Sequence, residues 1–254
     1  MYKIENSEVT IDFAECWKAA GMHIENQSQG GIRGWLRADL NPPFLEHLSF
    51  RLGNQLFFIQ LVDVDGNLES PANPDGLKMI AEACRGHACF MPMQKRQGQW
   101  FPIENGWGLV DAESLEPVNP VQLITDEEIV MTDWELQDFA VQVVKDSLIT
   151  QGKEVTSWHG NPAVHPSLWF AGKDGLEWVL VKAARYPQRN CVIPDNINSI
   201  VESFKEVSTK GHFASVSVAN GNDPFDPMAE KYGNFIPLYR GGPLFVSFGG
   251  LESL

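Results

Sequence analysis

Two stretches, LFFIQLV at 56–62 and WVLVKA at 178–183, decide the fold. Both are nearly unbroken apolar runs of β-branched, aromatic and aliphatic residues. They are short enough for strands and have no alternating polar face, so each predicts a central strand covered on both sides. Before each lies the other arm of a hairpin: 48–52 turning at Gly53-Asn54, and 168–171 turning at Asp174-Gly175. Gly-Asn and Asp-Gly supply the positive φ that tight hairpin turns need.

Outward from these hairpins the chain reads twice. Upstream, Asp12-Phe13-Ala14 opens an apolar-periodic segment ending at Gly21, and Asp138-Phe139-Ala140 lies in another ending at Gly152. The second is the clearer helix, because Thr132 and Glu135 form a T-x-x-E capping box and Leu136, Phe139, Ala140, Val143, Val144 and Leu148 follow at helical spacing. Short strands are expected at 22–26 and 154–158. Downstream, helices are expected at 77–84 and 197–207, each closing on Gly-His (Gly86-His87, Gly211-His212) and leading to strands at 88–93 and 213–218. Pro102-Ile103, Gly106 and Leu109-Val110 recur at one constant offset as Pro237-Leu238, Gly241 and Leu244-Phe245. The shared order is αβββαββ. The fold class is α/β (or α+β): two tandem similar modules, each a mixed sheet with about two flanking helices. The first spans 1–120 and the second 132–254, with a linker at 121–131 inside a Pro- and acid-rich segment.

Composition narrows the function. The chain has 254 residues, 15 Phe and 8 Trp, enough apolar bulk for two cores. Its net charge is −14, and each half (1–125 and 126–254) carries −7. Nucleic-acid binding needs clustered Lys and Arg to neutralise phosphates. The densest basic run is Lys182, Arg185 and Arg189, so no nucleic-acid partner is expected, whereas a basic protein partner fits. Four cysteines make no disulfide framework. The start has no signal-peptide pattern and no apolar run is long enough to span a bilayer, so the expectation is cytoplasmic with no membrane partner.

The order helix, three-stranded meander, helix, strand resembles the core of the PD-(D/E)XK, or restriction-endonuclease-like, superfamily. In that family an Asp, usually after Pro, begins the second strand and an acid-x-Lys lies on the third, and the carboxylates hold Mg²⁺. Here Pro166-Ser167 and Leu180-Val181-Lys182 stand at those places, with Glu135 matching an acid on the preceding helix. In the first half His47 and Phe58-Ile59-Gln60 stand there. The resemblance therefore implies a fold with a vestigial site, Glu135, Ser167 and Lys182, and no catalytic residue, metal or cofactor.

Other motifs read as structure. Cys84 and Cys89 around His87 lack the second pair of a zinc site and suit core packing. Asp63, Asp65, Asn67 and Glu69 lack the remaining ligands of a calcium loop and suit an acidic turn. His159, His165, Ser157 and Ser167 come without a nucleophile elbow, and Tyr239-Arg240-Gly241-Gly242-Pro243 is a plain turn into a strand. The expected function is non-enzymatic binding of a basic protein partner, immunity- or inhibitor-like at most. Two rivals remain: a metal-dependent nuclease-like hydrolase with an acid migrated to Glu135, Asp174 or Glu177 beside Lys182, and a small-ligand sensor binding between the modules.

Overall fold

In the computed structural model, which describes residues 10–29, 35–37, 48–68 and 74–254, the chain divides into two compact units, Met1–Glu128 and Ile129–Leu254. The stretch 121–131 is divided between them. Its first part is tied into the first unit, where Asn54 Nδ2 donates to Thr125 Oγ1 (2.9 Å) and to the Glu127 carbonyl (2.8 Å).

The first unit runs α1 (Ile11–Ser28), β1 (Trp35–Arg37), β2 (Leu48–Leu52), β3 (Gln55–Asp63), α2 (Pro74–Ala83), β4 (His87–Arg96), β5 (Gln99–Pro102), β6 (Leu109–Asp111), β7 (Pro117–Val118) and a 3-10 turn at Pro120–Leu123. Its sheet order is β1-β2-β3-β4-β6-β7, with β5 also beside β4. The second unit runs α3 (Asp133–Thr150), β8 (Glu154–Trp158), β9 (Leu168–Gly172), β10 (Gly175–Arg185), α4 (Ile197–Phe204), β11 (Gly211–Asn220), α5 (Pro227–Tyr232), β12 (Leu244–Phe248) and β13 (Glu252–Ser253). Its order is β12-β11-β10-β9-β8, with β13 also beside β11. Each sheet is mixed, because β3–β4 and β10–β11 are parallel while the hairpins are antiparallel.

The two units are like modules, and the likeness extends to register. Phe57 lies opposite His87 in one parallel pair, and Val179 opposite His212 in the other. Phe58-Ile59-Gln60 and Leu180-Val181-Lys182 are therefore counterparts. Both apolar runs are central and buried: Gln55–Leu61 is buried throughout, and Trp178, Val179, Leu180 and Val181 are at most 1 % exposed. Successive side chains alternate between faces. Val179 and Val181 join the α3 residues Leu136, Ala140, Val141 and Val144, while Trp178 and Leu180 join Ile200 of α4 and Phe213.

The Gly-His repeat has a steric cause. A Cβ on Gly86 would sit 2.8 Å from the Phe58 ring and 3.0 Å from the Leu56 carbonyl oxygen, and one on Gly211 would sit 2.3 Å from the Trp178 ring. Only glycine lets the strand pass under the bulky neighbour. Gly211→Ala is expected to lower stability by about 1–3 kcal/mol through overpacking. Gly21→Ala, with nothing within 4 Å of the new methyl, should raise it by roughly 0.5–1 kcal/mol through helix propensity. Thermal melts of the two variants check the contrast.

Three local readings are corrected. The strand expected at 22–26 is helix: α1 continues past Gly21 to Ser28 because Phe13, Cys16, Trp17, Ala20 and Ile24 keep one buried stripe. That stripe has the spacing of Gln137, Ala140, Val141, Val144 and Leu148 on α3, so the helices correspond two residues out of phase with the Asp-Phe-Ala match. The constant-offset match near the end of each half is also not structural. Val110 on β6 pairs with Phe90 near the start of β4, whereas Phe245 on β12 pairs with Ala219 near the end of β11. The strand that takes β12's place in the first module is β5, which pairs the end of β4. Third, the segment before β12 holds a further short helix, α5, a turn and a half capped by Asp226, whose Oδ1 accepts from Met228 N–H (2.9 Å).

Candidate functional site

The residues singled out in the second half meet around β10, where β9 turns away and leaves one edge of that strand unpaired beyond Val179. Side chains take over the ladder there. Ser167 Oγ accepts from Val181 N–H at 3.1 Å, Gln137 Nε2 donates to the Val181 carbonyl at 2.8 Å, and Ala183 N–H donates to Gln137 Oε1 at 3.1 Å. Gln137 thus acts as a one-residue substitute strand, satisfying a donor and an acceptor together. Replacing it by Leu leaves both backbone groups without partners in a buried place, at an expected cost of about 1–3 kcal/mol. Urea unfolding of Gln137→Leu beside wild type measures it.

Glu135 is on the preceding helix and is fully engaged. Its carboxylate accepts from Arg240 Nε (2.8 Å) and Nη2 (2.9 Å), and from the Thr132 backbone N–H (2.8 Å) and hydroxyl (3.0 Å). The side chains of Glu135 and Arg240 are 7 % and 1 % exposed. The Tyr239–Pro243 turn read as plain therefore carries a buried guanidinium, and Val130 forms an isolated bridge with Tyr239 beside it.

Lys182 is elsewhere. Strand alternation puts it on the α4 face of β10 with Trp178 and Leu180, away from the α3 layer that holds Glu135. Its neighbours include Cys191, whose Sγ donates to the Lys182 carbonyl (3.1 Å) and whose N–H donates to Ser215 Oγ (2.8 Å). Burial, and then the charge of Lys182, hold His165 below the usual histidine range. Of the three vestigial positions, Ser167 alone touches the unpaired, buried edge of β10, Glu135 is sequestered by Arg240, and Lys182 faces the other layer.

The acids considered as migrated ligands are placed differently again. Asp174 Oδ2 lies 2.6 Å from Lys210 Nζ, which holds that carboxyl below its usual range. Glu177 is on the Val179 face of β10, opposite to Lys182, and meets His212 Nε2 at 2.8 Å. The first module repeats this contact with an amide: His87 Nε2 meets Gln55 Oε1 at 3.0 Å. Among the described residues, no group of three His, Cys, Asp or Glu side chains is arranged to hold a metal ion. In the first module Ser49 precedes Phe50, which pairs with Phe57, as Ser167 precedes Leu168, which pairs with Val179. The counterpart of Ser167 is therefore Ser49, and His47 lies outside the described residues.

The remaining motifs are structural. Cys84 and Cys89 are fully buried, and burial pushes the Cys89 thiol up to about 12. Asp63 closes the acidic turn by accepting from the N–H groups of Asp65, Asn67 and Leu68 (3.0, 2.9 and 3.0 Å), while Glu69 lies outside the described residues. His159 is buried; its backbone N–H donates to the Ser167 carbonyl (2.7 Å) and its Nδ1 accepts from Asn161 N–H (3.0 Å).

The class so defined is an α+β protein of two similar mixed-sheet modules. Residues 134–254, the second module from the start of α3 onward, match a family described as a domain of unknown function (DUF8840). No curated protein and no solved structure matches the chain. No helix among the described residues is long and apolar enough to cross a membrane.

Proposed function

We propose that the chain is a non-enzymatic cytoplasmic binding protein whose partner is a basic protein, inhibitor- or immunity-like in its mode of action. One observation carries the reading. Where a PD-(D/E)XK-like centre would place its carboxylates, Ser167 is spent on the β10 backbone, Leu180 is a fully buried apolar residue and Glu135 is spent on Arg240. The polar groups at that place stabilise the module. With a net charge of −14, the favoured macromolecular surface is basic, and electrostatic steering speeds that encounter.

The test is affinity capture on the tagged full chain, followed by association kinetics with each purified basic protein recovered. The expected result is a rate that falls steeply between about 0.05 and 0.5 M salt, since the Debye length shrinks over that range. Capture of no basic protein overturns the reading. So does saturable micromolar binding to duplex DNA, single strands or structured RNA at about 0.15 M salt.

A further inference from the structure

The second sheet ends on β12, which pairs with β11 on one side and with no other strand among the described residues. Its outward groups follow from the register. Gly221 N–H donates to the Pro243 carbonyl (2.9 Å), which fixes the phase of an antiparallel ladder whose next pair is Asn220 with Leu244. Bonded and non-bonded pairs alternate along such a ladder. Phe245 and Ser247 therefore turn their backbone groups inward to β11. Leu244, Val246 and Phe248 present N–H and C=O groups to the open edge.

The side chains alternate too. Leu244, Val246 and Phe248 pack on the α3-side core, and Phe245, on the opposite face, is 48 % exposed. Phe245 ends a run of edge-to-face aromatic contacts: Phe235 to Tyr186 (5.3 Å), Tyr186 to Phe225 (5.4 Å) and Phe225 to Phe245 (5.9 Å). Beside it, α5 exposes Met228 and Tyr232. The charges around this surface are mainly acidic: Glu230, Asp226 and Asp223 act on Tyr186. Of the cations nearby, Arg189 is engaged by Glu230 (3.1 Å) and by the Phe225 carbonyl (3.0 Å), and Lys231 lies over the Tyr232 ring (5.5 Å).

We infer that the open edge of β12, with Phe245 and the acidic α5 surface beside it, is the docking site for an extended basic segment of the partner protein, which adds to the sheet as one further strand. Main-chain hydrogen bonds to Leu244, Val246 and Phe248 fix such a segment, and alternate side chains are read by the surface beneath. Its apolar residues cover Phe245, and its Lys or Arg residues meet the exposed Asp226 and Glu230. A second copy of this chain is disfavoured as occupant, because edge-to-edge pairing brings the same carboxylates together in a molecule of charge −14. The inference rests on the protein-binding reading and adds the place and the geometry.

The experiment uses the full chain and three fluorescein-labelled ten-residue probes: a Lys/Val probe in which Val and Lys take turns at every second position with Thr between, so that both point to one face, the same peptide N-methylated at alternate residues, and a Glu/Val sequence with Glu in place of each Lys. Fluorescence anisotropy at about 0.15 M salt reads binding. The Lys/Val probe is expected to bind saturably. Phe245→Ser, N-methylation of the ladder amides, and the Glu/Val sequence should each weaken binding about tenfold or more. Phe245 is half exposed, so the variant keeps its fold, and a thermal melt verifies that. No saturable binding of the Lys/Val probe overturns the inference, as does binding indifferent to N-methylation or to Phe245→Ser. Self-association of the chain abolished by Phe245→Ser also overturns it, by assigning the edge to a second copy. If a captured basic protein binds Phe245→Ser as tightly as wild type, the edge assignment fails while the binding function stands.

Discussion

Replacing Glu135 by alanine is expected to destabilise the protein by about 3–5 kcal/mol, because it leaves the Arg240 guanidinium buried without its carboxylate. Two further losses belong to the same change. The Thr132 N–H loses its acceptor, and the capping box that starts α3 is broken. The size of the effect comes from desolvation rather than from the attraction itself. A guanidinium 1 % exposed has given up its water, and the change removes its hydrogen bonds to Glu135 at 2.8 and 2.9 Å. The double variant Glu135→Leu with Arg240→Met is accordingly expected to recover most of the loss, since well-packed apolar side chains replace buried pairs at little cost. Urea unfolding of the two single variants and the double closes the cycle. A single variant within about 1 kcal/mol of wild type would show that the pair is hydrated and falsify this account of the site.

Val179→Asp should cost about 4 kcal/mol or more, the range reached when an unpaired charge enters a core. Val179 is 0 % exposed, near the middle of the sheet, flanked by Leu168 on β9 and His212 on β11 and covered by the α3 layer. The matched control is Val192→Asp, at a position 80 % exposed, which should shift stability by no more than roughly 0.5 kcal/mol. Thermal melts of both decide it; equal melting temperatures would mean that β10 is not a covered strand.

What could be read from the sequence was what local chemistry controls. The runs at 56–62 and 178–183 declared central strands because no polar alternation was available to face solvent, and the register confirms them as counterparts. Thr132 and Glu135 announced the start of α3 because a capping box is closed within four residues. The failures share the opposite property. Gly21 looked like a stop, yet a helix ends only where its buried stripe ends, and Ile24 extends that stripe. The stretch Pro227–Tyr232 is too short to show a period. Arg240 looked like a turn residue because its partner is more than a hundred positions away, and nothing in the sequence around Gln137 singles it out. No local pattern signals that a glutamine will complete a sheet. At the site, residue types at 135, 167 and 182 were legible, but which of them meet was not, since Lys182 and Glu135 are divided by the sheet itself.

The substitution of a side chain for a strand at β10 also bears on how the sheet opens. A backbone ladder releases its amides only when two strands part, but the Ala183 amide is held by a single glutamine whose χ rotations carry no other strand with them. The Val181 amide, bonded to a serine hydroxyl, is held as lightly. Deuterium should therefore reach Val181 and Ala183 through small local fluctuations, ahead of neighbours on β11 that exchange through larger openings. A strand at the centre of the second sheet, fully buried at Val181, thus contains its own point of early solvent entry.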